Sequence, residues 1–544
     1  MNDFIKQNTM GAGTEFTENG ALSYATAGSA LIDQFSKAGT ARGRDINTVW
    51  NEQATLWAEN PENALKFPFY LRLITRQTNL LGGEKTETVQ RGQGARDESF
   101  KRLLWIAKYH PEEFYRNLWL VPIVGSWKDL WQLMVMNVEF DINAIDNKKV
   151  FEILAEGIND ANHKDLVKKY LPRIRSNNKC NTPWAKITNQ IAKDFASFAG
   201  WSYKDYREFK STGRAHTFQT IICKGLYSDI DWKTIPGKAL LNLVSGGFLK
   251  RHDLEKEYVK WLKTQPVAKF NGYPYELGMK LGDIFNMKGI SLAKKVTIDK
   301  QFAGLIETAK KDNGSIKGNV LCALDTSGSM GAHITGGPEG LTSYDVCVSL
   351  GIYFSELNTG AFHNVVAMFD DTSTLFNLKG EFTDKWFQIR NANTAWGSTN
   401  FQGLIDLIVK TRMTRPEIPI EDYPKTLLVV SDMQFNPAYR TYGTPDTNYE
   451  VAMQKLRKVF PKEFVDEFKI VWWYCAGRSG SSHDVPATMD MGGQYLFSGF
   501  DGAIISLLLG CEDKVDPETG KKVAPTMEEM VIAALSQPVL AFVK

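Results

Sequence analysis

Several kinds of chemistry lack their residues in this 544-residue chain. Its six cysteines (Cys180, Cys223, Cys322, Cys347, Cys475 and Cys511) include no CxxC pair, and three of them sit in or at the end of apolar runs. That excludes a sequence-legible zinc site or disulfide frame and predicts reduced core thiols. The seven histidines show no HExxH or paired spacing. No glycine-rich stretch spells GxxxxGK[ST], and no serine sits in a GxSxG elbow. Nothing places a general base, so no catalytic residue is assigned and a non-enzymatic role is expected. The beginning, MNDFIKQNTMGAGTEF, has no apolar core for a secretory signal. The strongest apolar run near the other end, Ala503–Leu509, is far short of the ~20 residues that span a bilayer. The expectation is a cytoplasmic protein with no membrane partner.

The composition is that of a folded chain, 43% hydrophobic and 23% charged. Its length predicts two or three domains. The net charge of +2 conceals an imbalance, because residues 1–315 carry +10 and residues 316–544 carry −8. Most of the excess lies within 101–300, at +12. A basic half of this kind suits a phosphate-bearing partner, since neutralising phosphates releases counterions. Candidate phosphate contacts on loops and basic runs are Arg91, Arg96, Lys168, Lys169, Arg173, Arg175, Lys179, Arg207, Lys210 and Arg214. Lys128 follows Trp127 at a helix start, where a solvated first-turn residue is the competing reading. Trp184, Trp201, Tyr203 and Tyr206 are available to stack bases, although at helical spacing such residues more often pack a core.

Residues 1–20 are polar and read as a loose arm. From Ala25 to about Gln301, apolar residues recur at three and four, the period of one buried helix face. Helices are predicted at Ile46–Glu59, Ala64–Thr75, Glu98–Lys108, Pro111–Leu118, Lys128–Met136 and Lys148–Asn159. So many short helices in succession predict an α-solenoid of stacked pairs, without a fixed period.

The pattern changes at NVLCALDTSGSM. Val320–Leu324 is the short apolar run of a strand buried on both faces, and it stops at Asp325, Ser327 and Ser329. Thr426–Val430 is a second such strand, ending in Ser431 and Asp432. Between them, GSTNF places Thr399 just ahead of a helix, Phe401–Arg412. Further strands are expected at Val365–Phe369, Thr374–Leu378, Phe468–Ala476 and Tyr495–Ser498, with helices at Ser343–Leu357, Tyr449–Val459, Asp501–Leu509 and Met527–Ala534. This alternation predicts a doubly wound, mostly parallel sheet, which binds ligands at the carboxyl ends of its strands. Hydroxyls with carboxylates there suit a hard divalent cation, Mg²⁺ or alternatively Ca²⁺ or Mn²⁺. Asp370 and Asp371 occupy a turn, where Asp is favoured anyway, and are left out of the ligand set.

DxSxS, a later Thr in a glycine loop, and Asp after a further strand together resemble the metal-ion-dependent adhesion site of von Willebrand factor A domains. The matching positions are Asp325, Ser327, Ser329, Thr399 and Asp432. Ahead of it, FYLRLITRQTNLLGGEK, RGQGARDESFKRLLWIAKYHPEEFYRNLWLVPIVGSWKDLWQL, YLPR, YREFKSTGR, SDIDWKTIPGKAL and FLKRHD resemble the helical-repeat module shared by telomerase-associated, Ro and vault proteins. The likeness is to microbial and plant relatives of Ro that join this module to a von Willebrand A domain. It covers about residues 25–511.

The resemblance implies a multidomain chain. A HEAT-like helical solenoid, closed into a ring, would fill 21–315, and a Rossmann-like von Willebrand A domain would follow at 316–511. A tail at 512–544 would be free to return to the helical module. It implies a monomeric ring that binds small or misfolded RNA, with a cation that accepts a carboxylate from a partner protein. One departure is that GRAHTFQT, with His216, is a weak counterpart of the histidine-rich loop at which Ro proteins admit RNA. The rival reading is a metal-dependent interaction protein, or a structural component, that binds no RNA.

Overall fold

The computed structural model describes residues 14–74, 76–86, 89–176, 180–212, 218–282, 290–392, 396–439, 446–477, 485–489, 491–502, 514–515, 522–523 and 525–544. The chain has an amino-terminal helical region reaching to about residue 300 and a carboxyl-terminal α/β region built on a six-stranded, mostly parallel sheet. Its two compact units are not continuous in sequence and do not divide at residue 315. One comprises Met1–Gly43 with Pro236–Ile532, the other Arg44–Ile235 with Ala533–Lys544. Among the described residues no helix is long and apolar enough to cross a membrane.

In the α/β unit the strands are β3 (Val320–Asp325), β4 (Val365–Phe369), β5 (Ser373–Asn377), β6 (Thr426–Ser431), β7 (Lys469–Tyr474) and β8 (Gln494–Ser498). They lie in the order β5-β4-β3-β6-β7-β8, parallel except where β5 turns back antiparallel onto β4. From β3 the chain moves to one side, to β4, and then crosses to the other, to β6. The carboxyl ends of β3 and β6 therefore flank the point where strand order reverses, the crevice in which such sheets bind ligands. Both faces are covered, as the unbroken apolar runs require. Trp472 of β7 packs on Phe401 with ring centroids 5.0 Å apart, and the next residue, Trp473, packs on Phe354 at 5.1 Å. These two partners belong to helices Phe401–Thr414 and Ser343–Leu357. The second helix starts from a capping box, in which Thr342 accepts from the Asp345 amide and the Asp345 carboxylate answers.

Two expectations need correction. Residues 14–20 do not form a loose arm. β1 (Thr14–Phe16) pairs antiparallel with β2 (Leu22–Tyr24), and the turn between them is tied to the loop after β6. There, backbone and side-chain groups substitute for the missing apolar periodicity. A helix at Phe382–Ala392 also went unread, although Phe382 stacks on Phe302 at 4.2 Å. Most of the helix expected at Asp501–Leu509 lies outside the described residues, as does Cys511. Cys223 is exposed, whereas Cys180, Cys322, Cys347 and Cys475 are buried and free.

The helical unit rests on buried charge. Arg44 bridges Glu52 at 2.8 Å and Glu98 at 2.7 Å, and Arg102 reaches Glu52 at 2.9 Å. Arg72 holds Asp129 at 2.7 Å, and Arg96 adds a longer contact of 3.3 Å to the same carboxylate. In the same unit Asn117 exchanges two hydrogen bonds with the backbone of Lys544, at 2.6 and 2.8 Å, and Gln537 brackets the backbone of Arg91.

Helix Ser343–Leu357 lies so close to β3 that a Cβ at Gly351 would overlap the Leu324 side chain. Gly351→Ala should therefore destabilise the α/β unit despite its better helix propensity, by about 1–3 kcal/mol. Urea denaturation measures this; a stability equal to or above wild type would contradict the packing.

Candidate metal and docking site

Asp325 ends β3 with its carboxylate completely buried. One oxygen accepts the Ser327 amide at 3.0 Å, and the other accepts the Ser431 hydroxyl at 2.5 Å. The second contact follows from register, because Leu324 pairs with Val430 and places the next residue of β3 beside the next of β6. The hydroxyls form a chain: Thr399 Oγ1 donates to Ser327 Oγ at 3.0 Å, and Ser327 Oγ lies 3.1 Å from Ser329 Oγ. Asp432, also buried, accepts the Gln434 amide at 3.2 Å. All five residues expected from the sequence thus gather at the ends of β3 and β6. Ser329 is the most exposed of them.

Burial and the neighbouring Asp432 charge push the Asp325 carboxyl up to about 7, against the hydrogen bonds from Ser327 and Ser431, which pull it down. Two carboxylates that disfavour each other's ionisation, beside three oxygen donors, fit a small hard cation. Among the described residues no group of three or more His, Cys, Asp or Glu side chains is placed to hold a metal. The candidate donors Asp325, Ser327, Ser329, Thr399 and Asp432 are hard oxygens, three of them hydroxyls, a set that suits Mg²⁺ better than Zn²⁺.

Residues outside the expected set position it. Asp371 accepts the Ser398 amide at 2.9 Å and its hydroxyl at 2.5 Å, which fixes the loop carrying Thr399 and holds the Asp371 carboxyl below the usual range. Asn436 donates its amide to the Thr399 carbonyl at 2.9 Å. The backbone takes left-handed φ at Trp396 (45°) and Met433 (61°), on the two loops that supply Thr399 and Asp432. Beyond Asp432, Thr17 Oγ1 donates to the Phe435 carbonyl at 2.6 Å and Asn19 Nδ2 to that of Gln434 at 2.5 Å. The hydroxyl of Ser431 and the Asp-Asp turn were visible sequence signals for two of these roles. Nothing in the sequence pointed to the β1–β2 turn.

The phosphate candidates fare unevenly. Lys169, Arg173, Arg175 and Arg207 are exposed, and Lys168 is half-buried with its ammonium 5.3 Å from the Phe209 ring centre. Lys210 is a correction. It is buried, and its ammonium caps the end of helix Lys164–Tyr170 by donating to the carbonyls of Lys168 at 2.7 Å and Leu171 at 2.5 Å. Arg96 is held by Asp129, and Lys128 lies 5.7 Å from the ring centre of Trp131. Tyr206 is buried, donating to the Pro172 carbonyl at 2.6 Å, and is not placed to stack a base; Trp201 is half-buried and packs against Phe209. Trp184 and Tyr203 are exposed. Lys179, Arg214 and His216 lie outside the described residues.

Residues 319–537 match a family described as a domain of unknown function, DUF7788, and residues 17–194 match another, DUF2828. The chain is also similar to the uncharacterized protein L728 of Acanthamoeba polyphaga mimivirus, with 24% identity over 546 residues. That alignment covers 92% of this chain and 86% of the viral protein.

The Asp325 environment sets a pH dependence. In the metal-free fold Asp325 keeps its proton up to about pH 7, whereas the unfolded chain releases it near 4. The folded state therefore holds more protons over that window, and the stability Asp325 contributes falls as pH rises through it. Asp325→Asn keeps the shape and removes the titration. In chelator, wild type should lose stability relative to this variant between pH 5 and pH 8; parallel profiles would contradict the buried, charge-coupled carboxyl.

Proposed function

We propose that this protein is a non-catalytic RNA-binding scaffold of the Ro kind. On this reading its helical region is a HEAT-like ring, and its α/β region is a von Willebrand A domain whose cation docks a carboxylate from a partner protein. The observation that carries the docking part is the convergence of Asp325, Ser327, Ser329, Thr399 and Asp432 at the strand-order reversal. Bound there, Mg²⁺ supplies a positive centre to which a carboxylate can add. Asp325 and Asp432 supply the compensating charge, the three hydroxyls supply neutral oxygens, and the Asp371–Ser398 contact keeps the Thr399 loop in place. The RNA part is supported by the exposed Lys169, Arg173, Arg175 and Arg207, with Trp184 and Tyr203 available for stacking.

A second reading, a metal-dependent interaction protein without RNA, draws support from Lys210, whose ammonium is committed to helix-end carbonyls. Nucleic acid copurifying with the full chain, read from its absorbance ratio and an extraction gel, separates the two.

Asp325→Ala/Ser327→Ala should abolish the Mg²⁺-dependent rise in Tm and calorimetric Mg²⁺ binding while RNA affinity stays within about 0.5 kcal/mol, as for distant independent sites. Retained metal binding would refute the site. RNA affinity should fall with salt, and replacing Lys169, Arg173 and Arg175 together should flatten the log–log slope by roughly two units if all three meet phosphate of a single strand. An unchanged slope would remove that surface from the proposal.

A further inference from the structure

The unit that contains the sheet has a cationic feature of its own, formed by residues not considered above. Between helix Glu255–Lys263 and the start of helix Leu292–Asn313 lies a groove of about 890 Å³. Lys250, Lys256, Lys260 and Lys263 line it over a floor of Val259 and Leu292, and Leu292 is 56% exposed. Lys256, Lys260 and Lys263 are spaced by four and three, so they stand on one helix face at intervals of about one 5.4 Å turn. The opposite face is buried through Tyr258 and Leu262, so the helix cannot turn its lysines elsewhere.

Like charges at this spacing oppose helix formation unless something compensates them. Nearby lysines are compensated within the unit: Lys238 pairs with Glu276 at 2.7 Å and Lys295 with Asp384 at 2.7 Å. Among the described residues the four groove lysines make no ion pair, although Asp253 and Glu255 share the lining. Four ammonium groups against two carboxylates leave the groove cationic, concave and partly apolar. Its volume falls in the range of small-ligand sites.

The geometry points to a phosphate site that takes a short run of linked phosphates, each met by a lysine from a successive helix turn. The two carboxylates favour this ligand over an acidic peptide, because phosphates can share a Mg²⁺ ion with one or two carboxylates. The run can come from a free polyphosphate or from the end of an oligonucleotide. The site is independent of the Lys169–Arg175 surface and of whether that surface binds RNA.

Calorimetry on the full chain at a fixed free Mg²⁺ concentration, with inorganic tripolyphosphate, oligouridylate and oligoaspartate as separate probes, tests it. At least one phosphate probe should bind, more weakly as salt rises and more tightly than oligoaspartate. Lys256→Glu/Lys260→Glu should weaken that binding about tenfold, with Lys256→Gln/Lys260→Gln in between and Tm unchanged in both. Replacing Lys169, Arg173 and Arg175 should leave tripolyphosphate binding unaltered, so the two surfaces fail separately. Binding by tripolyphosphate identifies a free polyphosphate as sufficient, and binding by oligouridylate alone identifies the oligonucleotide. No binding by either, binding indifferent to the lysine reversals, or preference for oligoaspartate would overturn the assignment.

Discussion

The candidate site depends on one pairing, the parallel register of β3 with β6. It sets Leu324 opposite Val430 and so brings Asp325 against Ser431 at the ends of two buried strands. A carboxylate sealed from water is costly unless hydrogen bonds or opposite charge answer it. The Ser431 hydroxyl and the Ser327 amide answer part of that demand, and the nearby Asp432 increases it. The result is a strand-end cluster of buried carboxylate and hydroxyl oxygens. A one-residue slip in this register would separate Asp325 from Ser431 and turn alternate side chains to the wrong face.

Around that pairing, the loops are held by contacts from distant parts of the chain. Asp371 anchors Ser398, the Asn436 amide meets the Thr399 carbonyl, and the β1–β2 turn secures the segment after Asp432. The left-handed φ at Trp396 and Met433 shows that these loops are constrained by their surroundings rather than by local preference. Preorganisation of this kind suits a docking site, since ligand oxygens that are already placed lose little entropy on binding.

Positive charge in this chain stands in two different settings. In the helical unit the buried Arg72 and Arg102 and the half-buried Arg44 are matched to Glu52, Glu98 and Asp129; removing one partner would strand the other. Lys210 likewise completes a helix end. Lys169, Arg173 and Arg175 remain exposed, as do Lys256, Lys260 and Lys263 in the other unit. Burial and partnership, more than charge count, therefore separate cations that build the fold from those free to meet a phosphate.

What the sequence determined by itself was periodic or local. Apolar runs stopping at Asp325 and Asp432 marked buried strands with oxygen donors at their ends, and the three-to-four spacing marked helices such as Ile46–Glu59 to the residue. These signals survive folding because they arise from which faces must be buried. Only the tertiary structure decided the strand order that brings Asp325, Thr399 and Asp432 together, the burial of Lys210, and the membership of residues 14–43 in the unit with the sheet. Contacts such as Thr17 to Phe435 join residues hundreds of positions apart, and their geometry has no period in the sequence. They exist because backbone groups at a loop must be satisfied by whatever the fold carries there.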